Sequence, residues 1–172
     1  MTRTIIHFVL LAFVLVLVQV VCSKIILLNV AMPIVFIYLI IRMPINWHAN
    51  VTMTVGFFLG LLVDIFNNTP GMNALACTVL AGLRHTVFNA YVAREDEMPD
   101  QIPSVDTLGV GVYFKYMFSL VLIYCTLIFF IQAFTLRDVL LTLGRVAAST
   151  LLSSLILLGV DSLVSTRREK GL

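Results

Sequence analysis

The sequence predicts an all-α polytopic membrane protein, a single integral domain of six transmembrane helices. Three observations lead there. Of 172 residues, 60% are hydrophobic and only 12% charged, whereas roughly a quarter of a soluble domain is charged. The mean hydropathy is +1.06. Apolar runs near the ~20 residues that cross ~30 Å of hydrocarbon recur along the chain, and the connections between them are short. Residues 1–172 are therefore expected to form one membrane domain without room for a separate soluble one.

The six spans are expected at about 4–22, 27–43, 51–66, 71–92, 109–134 and 138–163. The first, within MTRTIIHFVLLAFVLVLVQVVCSK, has an apolar stretch from Ile5 to Val21. That exceeds the usual hydrophobic region of a signal peptide, and small residues are missing before Cys22, so the reading is an uncleaved span and not a leader. The second is framed by Pro33 and Pro44. Its helical core is short for the hydrocarbon unless Ile25 to Met32 contributes, which predicts a tilted or partly irregular entry.

Thr69-Pro70-Gly71 is a turn signal ahead of the fourth span, which would carry Arg84 and His85 about 20 Å along, towards the opposite interface. The connection REDEMPDQIPSVDT, Arg94 to Thr107, holds five of the nine acids together with Pro99 and Pro103. It reads as a solvated loop or as a docking surface for a basic partner. Thr135 and Asp138 match a capping box at the start of the sixth span.

Charge sets the orientation, because cytoplasmic loops keep the excess of lysine and arginine. With six spans, Arg3, Arg42, Arg84, Arg94, Lys115, Arg167, Arg168 and Lys170 share the side of both termini, Lys24 and Arg137 lie opposite, and Arg145 falls inside a span. Eight against two places both termini in the cytoplasm and the protein in the bacterial inner membrane, with Trp47 at the inner interface. The formal charge of +2, from 11 basic and 9 acidic residues, is scattered at segment ends and forms no basic stripe for nucleic acid. Cys22, Cys77 and Cys125 lie in apolar segments and read as small core hydrophobes.

Within VGFFLGLLVDIFNNTPG, residues 55 to 71, Gly56, Gly60 and Asp64 are spaced by four. At that spacing positions drift only about 40° per step and share one helix face. Two glycines on a face let another backbone approach, inside the chain or from a partner. An ionised Asp64 costs at least ~2.5 kcal/mol in a span and sits at the negative end of its own helix, so it needs a partner. One candidate is the positive N-terminal end of the fourth helix around Gly71, Met72 and Asn73. Another is Arg145, two turns into the sixth helix from the same side. Structural clasp, partner surface and proton or ion path all fit such a residue. Asp161, near Arg167 and Arg168, reads as a solvated acid at the inner end of the last helix.

The stretch VGFFLGLLVDIFNNTPGMNALACTVLAGLR resembles the signature region of MreD, the rod shape-determining membrane protein family of bacteria. That family has a Gly-x-x-x-Gly-x-x-x-Asp helix, a short polar turn, and then a glycine and an Ala/Leu-rich helix. Here Gly56, Gly60, Asp64, Gly71 and Leu75 supply them, and Leu83-Arg84 looks like a pair seen in Bacteroidetes-type members. The size of the chain and its few loops also fit. The resemblance implies a direct partner, MreC, with a single span and a coiled coil. It also implies a wider complex of the MreB filament, the RodA glycosyltransferase and a penicillin-binding transpeptidase. The family fold is similar to the S component of energy-coupling-factor vitamin transporters, a likeness that does not transfer function.

The resemblance therefore implies a non-enzymatic scaffold of the cell-wall elongation complex, set in membrane lipid, with no cofactor. A solute-binding or transport subunit is the alternative and would need polar groups converging at mid-membrane, drawn from Asn29, Asp64, Asn73, Gln132 and Arg145. An intramembrane enzyme would need a nucleophile beside a base. Ser153 and Ser154 are far in sequence from His7, His48 and His85, which lie towards the inner interface. No His, Cys or carboxylate pair has metal-ligand spacing. The orientation has a direct test: a cysteine placed after Leu172 should react with membrane-impermeant reagent only from the cytoplasmic side, and labelling in intact cells would refute the six-span topology.

Overall fold

The computed structural model of the protein describes residues 14–21, 33–92, 102–132 and 139–169. Every regular element among them is a helix. Residues 14–21 form α1; α2 is Tyr38–Ile41, α3 Ala49–Asn67, α4 Met72–Tyr91, α5 Val105–Leu108, α6 Val110–Gln132 and α7 Val139–Glu169. Among the described residues three stretches are long and apolar enough to cross a membrane: Ala49–Asn67, Val110–Gln132 and Thr142–Ser162. With 20 residues α4 has the length as well, but Asn73, Arg84, His85 and Asn89 make it less apolar. The expected capping box at Thr135 and Asp138 lies outside the described residues.

The second expected span, 27–43, is not a continuous helix where the structure describes it. From Pro33 onward the chain is non-helical for several residues, turns, and makes only the four-residue α2. Yet this irregular stretch is the centre of the core: Val35, Phe36, Ile37, Tyr38, Leu39, Ile40 and Ile41 are all buried.

Backbone groups taken from water must find partners inside the protein, and at membrane depth irregular chain survives only under that condition. Side chains of two flanking helices supply the partners. Gln19 of α1 donates through Nε2 to the Pro33 carbonyl at 3.1 Å and accepts the Val35 N–H on Oε1 at 2.7 Å. The Ile34 N–H donates to Ser153 Oγ of α7 at 3.0 Å. Local turns add further bonds, among them Tyr38 N–H to the Val35 carbonyl and Leu39 N–H to the Phe36 carbonyl.

Around this centre α6 presents Tyr113, Tyr116, Met117, Leu120, Val121, Tyr124 and Cys125, all buried. Inward from α7 come Ser149, Thr150, Ser153 and Ser154, small residues that allow close approach. Outward faces are apolar: Phe57, Phe58, Ile65 and Phe66 on α3, Leu140, Leu151 and Leu155 on α7. Cys77 and Cys125 are free and buried.

Removing the substitute partners should loosen the centre. Gln19→Leu strands one donor and one acceptor, whereas Ser153→Ala strands one donor, each at about 1–3 kcal/mol if left unsatisfied. Thermal unfolding of the detergent-purified variants should rank wild type above Ser153→Ala above Gln19→Leu; no shift in either would remove this account.

Candidate functional site

Asp64 lies in the last turn of α3 and is 3% exposed. The helix ends on Asn68, whose φ of 53° is left-handed and whose N–H returns to the Asp64 carbonyl, a termination that Asn tolerates. Thr69, Pro70 and Gly71 make the turn. Gly71 has φ 74° and occupies the N-cap of α4. A side chain there would meet nothing within 4 Å, so the backbone conformation, not space, calls for glycine.

A glycine N-cap has no side chain with which to satisfy the first N–H groups of its helix, four of which lack intrahelical acceptors. Asp64 does so from the preceding helix. Its Oδ2 accepts the Ala74 N–H at 2.8 Å, and its Oδ1 accepts the Asn73 N–H at 3.1 Å. Oδ1 also accepts the Asn73 side-chain amide at 2.8 Å and the Thr69 hydroxyl. The carboxylate thus sits at the positive end of α4, where an anion gains most. The Tyr124 hydroxyl donates to Asn73 Oδ1 at 2.5 Å, bringing α6 into the same junction.

The glycines make this reachable. A Cβ on Gly60 would stand 2.5 Å from the Asn73 carbonyl oxygen and 2.6 Å from Ala74 Cα. On Gly56 it would stand 3.0 Å from the Cys77 carbonyl oxygen and 3.1 Å from Ala81 Cβ. Gly56, Gly60 and Asp64 therefore lie along one α3–α4 seam, tightest at Gly60, and Gly71 stands at the exposed turn that starts α4. Leu75 is exposed.

Arg145 is not part of it. The residue is exposed on α7, and the bonds just described come from α4 and the turn before it; no ion pair joins Arg145 to Asp64 among the described residues. Helix-end N–H groups a few residues away already satisfy the carboxylate, so a distant cation is not required.

The reading of Asp161 as solvated is overturned: it is 0% exposed. Its Oδ1 accepts the Tyr38 hydroxyl at 2.8 Å and the Tyr113 hydroxyl at 3.1 Å, and faces Arg42 Nη1 at 3.5 Å. Arg42 Nη1 also donates to the Tyr38 hydroxyl at 2.8 Å. A sequence signal existed: Val146, Thr150, Ser153, Leu157 and Asp161 recur every three or four residues, so the acid belongs to the inward face of α7.

Arg84 was expected near an interface, and it is buried. Its guanidinium donates to the Met43 carbonyl, to the Pro44 carbonyl at 3.5 Å, and through Nε to the Tyr116 hydroxyl at 3.1 Å. The Tyr116 hydroxyl reaches the Ile41 carbonyl at 3.4 Å. A cation thus holds the carbonyls where α2 ends. Asn73 and Arg84 lie about 16 Å apart along α4 at ~1.5 Å per residue, so the bundle carries one polar junction towards each end of that helix.

Chemically both junctions hold helices together. Ser153 spends its oxygen on the Ile34 N–H, His48 and His85 are exposed, and no cluster of three metal-ligating side chains occurs among the described residues. Asn29 and His7 lie outside those residues, and Gln132 is exposed at the end of α6.

No family model, no curated protein and no solved structure matches this chain.

Substitutions separate shape from charge at the Asp64 junction. Asp64→Asn keeps an acceptor but removes the charge and should cost roughly 0.3–2 kcal/mol. Asp64→Leu also strands the Asn73 and Ala74 N–H groups, at a further ~1–3 kcal/mol. Gly60→Leu should be more severe than either, while the exposed Val51→Leu changes little. Melting temperatures of purified variants give the order, and an unaffected Gly60→Leu would contradict the close seam.

Proposed function

We propose that the chain is a non-enzymatic membrane scaffold of the bacterial cell-wall elongation machinery, an MreD-like protein that binds MreC. Through MreC it would join MreB, RodA and a penicillin-binding transpeptidase, in the inner membrane with both termini cytoplasmic. One observation carries the reading. The stretch that resembles MreD forms a closed helical hairpin, in which Gly56, Gly60 and Asp64 meet the start of α4.

The polar inventory favours a scaffold over a solute carrier. A solute site needs polar groups held open towards a shared space, whereas Asp64 and Asn73 bind each other and Gln132 and Arg145 face outward. Hydrogen-bonding capacity inside this bundle goes into positioning helices. A rigid apolar body of this kind suits recognition of another membrane helix by shape, since lipid supplies no hydrophobic drive and packing decides.

Affinity purification from the native membrane tests this. A single-span coiled-coil protein should co-purify with the wild type and with Val51→Leu. Recovery of an energising ATP-hydrolysing module in its place would overturn the scaffold reading in favour of transport.

A further inference from the structure

The two buried acids are provided for very differently. Asp64 has donors on both oxygens, all from the chain. Asp161 has donors on one. Its Oδ1 takes the Tyr38 and Tyr113 hydroxyls and faces Arg42, but Oδ2, also buried, meets no donor among the described residues.

Protonation does not cure this. As an anion Oδ2 lacks donors, and as a hydroxyl it would lack an acceptor; buried polar atoms left so are rare and call for a partner. The surroundings define that partner's chemistry. Arg42 balances the Asp161 charge at 3.5 Å, and Arg84 adds a second positive charge beside the carbonyls of Met43 and Pro44. With the Asp161 charge already balanced by Arg42, a metal ion or an ammonium would find no uncompensated negative charge here, which leaves a neutral donor. Burial of the whole residue limits it to a very small one.

We infer that Asp161 Oδ2 binds a single buried water, which makes the Arg42–Asp161 junction a hydration site. Water can donate to Oδ2 whichever state the acid is in, and it can accept if Oδ2 carries the proton. The outer surface of the bundle lies close in the chain on two sides: Ser162, next to Asp161, is exposed, and so are residues 46–48, shortly after Arg42. This holds whether or not the scaffold reading does.

An experimental map of the full chain in nanodiscs, at a resolution that shows ordered waters, decides it. One water peak should lie about 2.8 Å from Oδ2 in wild type, persist in Asp161→Asn and vanish in Asp161→Leu. A dry Oδ2 in a map showing other buried waters would overturn the site. So would a side-chain donor from elsewhere in the chain at that oxygen, or density larger than water. If Asp161→Leu does not fold, the wild-type map alone suffices.

Discussion

At the junction of α3 and α4 a single carboxylate serves a helix whose own cap is glycine. The first N–H groups of α4 would otherwise face apolar surroundings, where each unsatisfied donor costs several kcal/mol. By accepting from Asn73 and Ala74, Asp64 removes that cost and sets the lateral position of α4. Tyr124 then ties α6 to the same Asn73 side chain. Because α4 is a continuous helix from Met72 to Tyr91, fixing its start also fixes where Arg84 arrives. It arrives at the carbonyls of Met43 and Pro44, so the first junction positions the second.

The second junction matters because the chain between Pro33 and Pro44 cannot look after itself. A full helix would satisfy its own backbone, but this segment is irregular and still buried from Pro33 to Met43. Gln19, Ser153 and Arg84 provide from three other helices what helical hydrogen bonds would have provided. The stability of α2 is therefore tertiary in origin, as expected for a four-residue helix, which is far below the length that nucleation allows alone.

Sequence reasoning sees these features unequally, for physical reasons. Four helices are visible because apolar length is a local property: 51–66, 71–92, 109–134 and 138–163 lie close to α3, α4, α6 and α7. The pairing of Asp64 with the α4 end is also within reach, since only a short turn separates them. Asp161 and Arg84 are different. Their partners lie 123 and 41 residues away; for Asp161 the nearby Arg167 and Arg168 suggest solvent where the fold supplies tyrosines, and for Arg84 nothing local points to the carbonyls it meets. Periodicity along α7, running through Thr150, Ser153 and Leu157 to Asp161, held the missing information. Local charge context outweighed it. Thr69, which donates to Asp64, was read only as a turn residue because its hydroxyl acts across five positions that no helical or strand pattern links.

The glycines show how spacing and chemistry combine. At Gly144 and Gly159 of α7 an added Cβ would meet nothing within 4 Å among the described residues, so neither sets a close approach between the described helices. At Gly60 the same atom would strike the backbone of Asn73 and Ala74, the residues whose N–H groups bind Asp64 one turn further along α3. Those N–H groups can lie within hydrogen-bond distance of the carboxylate only because the preceding turn of α3 has no side chain between the helices. Glycine at 60 and aspartate at 64 are thus two parts of one device: the first sets the distance, and the second makes that distance favourable where Asp64, Asn73 and Ala74 are buried away from water.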